Sequence, residues 1–424
     1  MNQEEGRKRP FYDENGRPVR SSSYQRPTPP KPGFRPNRGP VEPSVPLTPD
    51  ASRDETFVAK TLQGLEGVLA DELRVLGARD IQTLNRGVKF SGDFGFVIKA
   101  NLALSTALRV LRPVHHFGVK TKEDLYQGAK EVAWEDWFQP QATFVVRCSG
   151  QHPQFTHSGF AALVVKDAVA DRFRSKHGYR PNVEKENPDI VIDVHLSPDR
   201  AYISLDSSGQ SLHRRGYRQD VGVAPLSEVL AAGMLKLAGY RGDQAFLDPM
   251  CGSGTLPLEA ALIADRRPPG IYRDRFSFMH WADYTQDLHA TIEESVLKKS
   301  KEGVMPLFGW DREATMVNKA RKNSEKAVLE DRIQWKRQTF IGSTAPAGRG
   351  LMVINPPYNV KIQADTQALY KGMAETLLKG YSGWTAWIIS YDTYALRHMG
   401  LPISERIALK NGDLDCDYVK IEVE

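Results

Sequence analysis

Ala245-Phe246-Leu247-Asp248-Pro249-Met250-Cys251-Gly252-Ser253-Gly254-Thr255 is an apolar run that ends on an acid, then passes through a proline and two glycines into a new apolar stretch. An apolar run bounded by turn residues reads as a strand, here 244–248, and Thr255 opens a helix over 255–264. The same alternation continues on both sides. A helix over 226–238 precedes it. Strand 306–311, helix 312–328, strands 333–339 and 350–354, helix 364–379 and strand 384–390 follow. Strands alternating with helices predict a doubly wound, mostly parallel α/β sheet. Asn411-Gly412 between two apolar strands predicts an antiparallel hairpin at the end of it. Residues 265–305, rich in aromatics and charge, interrupt the alternation and read as an insertion.

Upstream the pattern differs. Between 54 and 118 we expect strands near 57–59 and 88–90, a helix over 65–76 stopped by Gly77, and a second helix over 98–111 ended near Pro113. Between 119 and 213 we expect a strand at 144–147, a helix at 160–174 with Val165, Val169 and Phe173 on one stripe, then strands at 190–194 and 202–205. Both units read as α+β. Residues 1–53 hold 11 of the 27 prolines and 10 Lys and Arg against 6 Asp and Glu. Their few large apolar residues are scattered, so this basic, Pro-rich segment reads as a disordered tail.

The remaining 371 residues hold 47 Lys and Arg against 46 Asp and Glu, so any surface for nucleic acid must be a local patch. Hydrophobic residues at 40% and charged residues at 26% exclude a membrane bundle and a wholly disordered chain. The apolar stretch 229–235 stops at Lys236, far short of a membrane span. MNQEEGRKRP has charge without an apolar region behind it, and three cysteines (Cys148, Cys251, Cys416) form neither a disulfide framework nor zinc spacing. The expected location is a reducing cytoplasm, with no membrane and no metal.

The glycine turn lacks the Lys of a phosphate-binding loop, and Pro257 stands where a dinucleotide fingerprint needs its third glycine. A third reading keeps Asp248 as an acid at a strand end, able to pair with a cationic group such as the amine of S-adenosylmethionine. Gly252 and Gly254 then let the backbone approach that ligand. Asp311 ends the next strand and either accepts from ribose hydroxyls or caps the following helix. In Asn355-Pro356-Pro357-Tyr358 two prolines fix a rigid turn after strand 350–354. Asn355 Oδ1 and the Pro356 carbonyl could accept both hydrogens of an exocyclic base amine, with Tyr358 stacked on the ring. The competing reading is a plain Pro-Pro turn.

Taken together these residues resemble a class I S-adenosylmethionine-dependent methyltransferase acting on exocyclic amines. Ala224-Pro225-Leu226-Ser227-Glu228 resembles the segment such enzymes place near the methionine end of the cofactor. Lys166-Asp167-Ala168, Arg180-Pro181-Asn182-Val183 and His213-Arg214-Arg215-Gly216-Tyr217-Arg218 resemble a THUMP RNA-binding domain and its junction to the catalytic domain. The closing Asn411-Gly412-Asp413-Leu414-Asp415-Cys416 fits as well. From about 55 to 424 the chain is similar to bacterial 23S rRNA guanine-N2 methyltransferases of the RlmL type.

The resemblance implies a ferredoxin-like subdomain over 54–118, a THUMP domain over 119–213 and a Rossmann-like methyltransferase domain over 214–424. It implies S-adenosylmethionine as cofactor, held by Pro225, Leu226, Asp248, Met250, Gly252, Gly254, Thr255 and Asp311. Catalysis would fall to Asn355, Pro356, Pro357 and Tyr358, and RNA contacts to Lys166, Arg214, Arg215 and Arg218. The partner would be 23S rRNA or a pre-50S particle. Alternatives are tRNA, then a DNA adenine-N6 methyltransferase, since Asn-Pro-Pro-Tyr serves that amine too, then a non-catalytic RNA-binding or ribosome-assembly factor. Two departures stand out. Asn359-Val360-Lys361 replaces the family's usual Gly-Glu-Arg, and Gln338-Thr339 stand where an acid often lies near the adenine amine.

Overall fold

The computed structural model describes residues 54–218, 226–357 and 363–424. The tail, Pro225 and Tyr358 lie outside the described residues, as do Ala224 and Asn359-Val360-Lys361. The N-terminal half runs β1 (Glu55–Lys60), α1 (Glu66–Leu76), β2 (Arg79–Leu84), β3 (Gly87–Gly92), α2 (Phe94–Ala103), β4 (Arg109–Gly118), α3 (Lys122–Glu131), β5 (Phe144–Gly150), α4 (Ser158–His177), β6 (Ile190–Leu196) and β7 (Arg200–Asp206). These strands form one sheet in the order β2-β3-β1-β4-β7-β6-β5. All pairs are antiparallel except β5 with β6. Long β4 pairs with β1 on one side and β7 on the other, so both α+β units share a sheet.

The expected helix over 98–111 is corrected here. α2 ends at Ala103 because the Glu72 carboxylate takes the N–H groups of Ser105 and Thr106 at 3.0 and 2.9 Å, and both hydroxyls as well. Those local bonds stop the helical ladder. Val110 and Leu111 then pair with Ala59 and Val58 on β1, and the register shifts near Pro113, where a bulge admits a residue without a ladder N–H. β2 gives no apolar alternation because it is an edge strand exposed along nearly its whole length.

The C-terminal half runs α5 (Glu228–Leu237), β8 (Ala245–Asp248), α6 (Thr255–Ala264), α7 (Gln286–Leu297), β9 (Leu307–Asp311), α8 (Ala314–Lys326), β10 (Ile333–Arg337), β11 (Gly350–Ile354), α9 (Gln363–Gly380), β12 (Trp384–Ser390), α10 (Thr393–Arg397), β13 (Glu405–Asn411) and β14 (Leu414–Glu422). The strand order is β10-β9-β8-β11-β12-β14-β13. β10 to β12 run parallel, and the β13–β14 hairpin closes the sheet antiparallel, as expected. β8 and β11 are buried throughout, which is why they read as unbroken apolar runs.

The insertion after α6 packs into the N-terminal half. Phe276, Phe278 and Trp281 belong to its core. Arg112 on β4 donates to Glu55 at 2.6 and 2.8 Å and to Asp283 of the insertion at 2.6 Å. Its guanidinium also lies 4.8 Å from the Trp137 ring and 5.5 Å from that of Trp281. Arg273 donates to the carbonyls of Ser208, Gln210, Ser211 and Arg214 at 2.8–3.0 Å, tying the insertion to the linker after β7.

Candidate functional site

β8 connects to β9 on one side, and the chain later returns to β11 on the other. The crevice beyond the carboxyl ends of β8 and β11 is therefore a topological switch point, where open α/β sheets bind ligands. Register brings the sequence candidates together there. Asp248 stands opposite Gly309, two residues before Asp311, and Leu247 stands opposite Met352, three before Asn355.

Asp248 is 2% exposed, and its Oδ1 accepts from the Met250 N–H at 3.1 Å. It forms no ion pair among the described residues. Burial, with the negative charge of Asp311 adding to it, pushes its pKa well up against the pull of the Met250 N–H. A buried carboxylate without a cation suits a cationic ligand. Asp311 Oδ2 accepts from the Gly252 N–H at 2.9 Å, and Oδ1 from the Glu313 N–H at 2.8 Å. α8 begins after Glu313, so Asp311 is not its N-cap. The acid instead fastens the glycine turn to β9, and each oxygen keeps a lone pair for a hydroxyl donor.

The two glycines do different work. Gly252 has φ +53° and open space where a Cβ would stand. Gly254, at φ +91°, caps α6, and a Cβ there would lie 2.7 Å from the Trp335 ring and 3.0 Å from Ala320. Its N–H is already given to the Cys251 carbonyl at 2.8 Å. Gly254 thus serves helix packing, and Gly252 is the one that faces a vacant approach. We predict that Gly254→Ala destabilises the protein by about 2 kcal/mol or more through strain and overpacking. Gly252→Ala should cost only about 1 kcal/mol of stability but weaken ligand binding. Thermal unfolding and titration calorimetry with S-adenosylmethionine check the split.

Asn355 follows β11, with Pro356 buried and Pro357 exposed behind it. Its Oδ1 is buried and has no hydrogen-bond partner among the described residues. An unpaired buried acceptor costs stability unless a ligand uses it. At the next strand end, Ser390 accepts from the Tyr370 hydroxyl at 2.6 Å, level with Pro356 through the Ile354–Ile388 pairing. Exposed Tyr391 and Tyr394 lie on this edge. No motif marks them in the sequence; the only signal there is the end of the apolar run 384–389.

The basic candidates separate. Lys166 lies on α4 with its Nζ 2.7 Å from Asp167. Arg214 is exposed. Arg215 is 2% exposed and donates to both Glu259 oxygens at 3.2 Å, to the Leu212 carbonyl at 2.9 Å and to the Ser105 carbonyl at 2.5 Å. It braces α6 against the N-terminal half and is no RNA-facing residue. Arg218 also turns inward. It donates to Glu228 at 2.8 Å, to the buried Leu226 carbonyl at 3.1 Å and to the Thr255 hydroxyl at 3.0 Å, at the first residue of α6. His115 and His116 point to opposite faces of β4, opposite Ile203 and Tyr202. Among the described residues no group of three or more His, Cys, Asp or Glu could hold a metal, and no helix is long and apolar enough to cross a membrane.

Known proteins match along nearly the whole described chain. Family profiles match an RlmL ferredoxin-like domain over residues 56–111, a THUMP domain over 119–206 and an RMKL-like methyltransferase domain over 215–420. A Synechocystis protein described as a candidate RNA methyltransferase, slr0064, is 36% identical over 371 residues, covering 87% of this chain and 96% of its own. The ribosomal RNA large subunit methyltransferase K/L of Syntrophotalea carbinolica is also 36% identical, over 87% of this chain; the chain spans 53% of that relative. The crystal structure of SMU.472, a candidate methyltransferase complexed with S-adenosylhomocysteine, superposes with a TM-score of 0.80 at 28% identity, covering 88% of this chain and 98% of its own.

Proposed function

The chain belongs to the RlmK/L-like family of THUMP-containing, S-adenosylmethionine-dependent methyltransferases, and from that premise we propose that it methylates the exocyclic N2 amine of a guanosine in RNA, with 23S rRNA as the substrate. The observation that carries this reading is the buried, unpaired Asn355 Oδ1 at the switch point, beside the Asp248 and Gly252 turn. The residues present fit the cofactor. Asp248 offers a buried, uncompensated carboxylate for its ammonium, Gly252 an unobstructed backbone approach, and Asp311 free lone pairs for its ribose hydroxyls. When bound, S-adenosylmethionine supplies an electrophilic methyl group on a sulfonium leaving group.

The chain's own contribution is positioning. A guanine amine is a weak nucleophile because its lone pair is delocalised into the ring. Asn355 Oδ1 and the Pro356 carbonyl, each accepting one amine hydrogen, hold the nitrogen pyramidal and free its lone pair. The Pro-Pro turn keeps both acceptors in place without a mobile backbone. Alignment of this kind can supply much of a barrier reduction. No strong base is needed before attack. Among the domains, the THUMP and ferredoxin-like units hold RNA while the C-terminal domain acts on it, in a reducing cytoplasm that suits three free thiols.

The test is methyl transfer from radiolabelled S-adenosylmethionine to ribosome-free 23S rRNA, to tRNA and to duplex DNA, followed by nucleoside digestion. The expected product is N2-methylguanosine from 23S rRNA. The same product from tRNA alone would move the substrate to tRNA. N6-methyladenine from DNA, or cofactor binding without transfer to any acceptor, would overturn the reading.

A further inference from the structure

The part of the N-terminal sheet made by β4, β7, β6 and β5 is packed on one face. Ile192, Val194, Ile203 and Leu205 point into the core there, and α4 lies along β5 on that side. The alternate residues point the other way. One row of them crosses all four strands. His116 on β4 stands opposite Tyr202 on β7, Tyr202 opposite His195 on β6, and His195 opposite Ser149 on β5. All four are exposed, Tyr202 at 42%. The His116 and Tyr202 rings are stacked within 15° of parallel at 6.2 Å, and the His195 ring centroid lies 6.3 Å from that of Tyr202. Three flat rings thus stand in a line with their surface in water.

The next row lies two residues along the strands, about 7 Å away, and is charged. It holds Ser204, Asp193 and Arg147 in register. Asp193 is taken by Lys60 at 3.2 Å, and Asp206 beyond it is taken by Arg109. Arg147 has no carboxylate among the described residues and donates only to the Gly209 carbonyl at 3.2 Å. Burial, and then the positive charge of Arg109, lower its pKa against the opposing pull of Asp206 and Asp193, with exposed Arg214 adding a smaller effect in the lowering direction. Asp193 and Asp206 each have an ion-pair partner of their own, while Arg147 and the nearby Arg214 form no ion pair among the described residues.

We propose that this face binds a single-stranded segment of RNA, one unpaired base stacked on the His116–Tyr202–His195 row and its phosphate held by Arg147 and Arg214. The inference rests on RNA being the substrate, as proposed above. Flat rings call for a flat partner, and the surplus guanidiniums call for an anionic one. A base within a duplex has both faces covered by its neighbours, so only an unpaired nucleotide can use the row. Base stacking of this kind tolerates any base, so the face would hold substrate without choosing the target guanosine.

The experiment uses the full chain and a short fluorescein-labelled single-stranded RNA, with a duplex RNA of the same length as comparison. Tyr202→Ala should weaken single-strand binding roughly tenfold, leave duplex binding unchanged, and leave the thermal midpoint and the S-adenosylmethionine affinity as in the wild type. Tyr202→Phe, which keeps the ring, should restore binding. Arg147→Gln should flatten the salt dependence of single-strand binding. Should Tyr202→Ala not fold, the His116→Ala/His195→Ala double variant carries the same expectation. Unchanged single-strand affinity, an equal loss on the duplex, no rescue by Phe, or no single-strand binding by the wild type would each overturn the proposal. The two readings can fail separately. RNA methylation with an unaffected Tyr202→Ala removes this face and keeps the activity. Tyr202-dependent binding by a protein that methylates no RNA does the reverse.

Discussion

Asn355→Ala should slow methyl transfer by about 100-fold or more while cofactor affinity and most RNA affinity stay as they are. The side chain's Oδ1 is buried and unpaired among the described residues, so removing that acceptor breaks no hydrogen bond made by them. The proposed bond to the substrate amine would align a lone pair mainly in the transition state, so the loss should fall on the rate and not on binding. Asn355→Asp is the more telling change. It keeps an acceptor oxygen but adds a negative charge beside the place of the sulfonium. Cofactor affinity should then rise while transfer still slows. Single-turnover methylation of 23S rRNA fragments at saturating cofactor isolates the step, and calorimetry gives the affinities. Wild-type transfer by Asn355→Ala would return the segment to a plain Pro-Pro turn.

Arg215→Met should cost about 3–5 kcal/mol of stability. The Arg215 and Glu259 side chains are each 1% exposed, and the guanidinium gives the carboxylate two hydrogen bonds. Removing the cation leaves Glu259 buried with the Tyr217 hydroxyl, at 2.9 Å, as its remaining donor among the described residues. An uncompensated buried charge is far costlier than no pair at all, so the double variant Arg215→Met/Glu259→Leu should recover most of the loss. Thermal unfolding of the wild type, both single variants and the double variant measures the coupling. RNA affinity per folded molecule should be unchanged in the double variant. A specific loss of RNA binding without loss of stability would put Arg215 back among the RNA contacts.

Some elements were legible because one local property determined them. β8, β11 and β12 are buried on both faces, so they stand out as apolar runs of strand length. Gly77 at φ +99° ends α1 where a left-handed residue was needed. Others were not legible, because their conformation depends on a distant residue. The helical spacing over 98–111 is genuine, yet α2 stops early, since Glu72 on α1 captures Ser105 and Thr106. β2 exists through its pairing with β3 and carries no apolar signature of its own.

The candidate site divides in the same way. The acid, the glycine turn and the Asn-Pro-Pro segment were visible as chemistry in the sequence, because strand ends and turns demand those residue types locally. Whether Asp311 caps a helix or fastens Gly252, and which glycine has open space at its Cβ position and which meets Trp335, depended on packing between β8, β9, β10 and α8. The basic run 214–218 reads as one patch along the chain, yet Arg214 is exposed while Arg215 is buried against Glu259. His116, His195 and Tyr202 are unremarkable in sequence and form one row only through strand register. By itself the sequence determined the alternation of elements, the strand ends and the chemical groups carried on them, because those follow from short-range propensity and periodicity. The tertiary structure alone decided which groups meet and which cations are left over for a ligand, because register and burial are set by contacts between residues far apart in the chain.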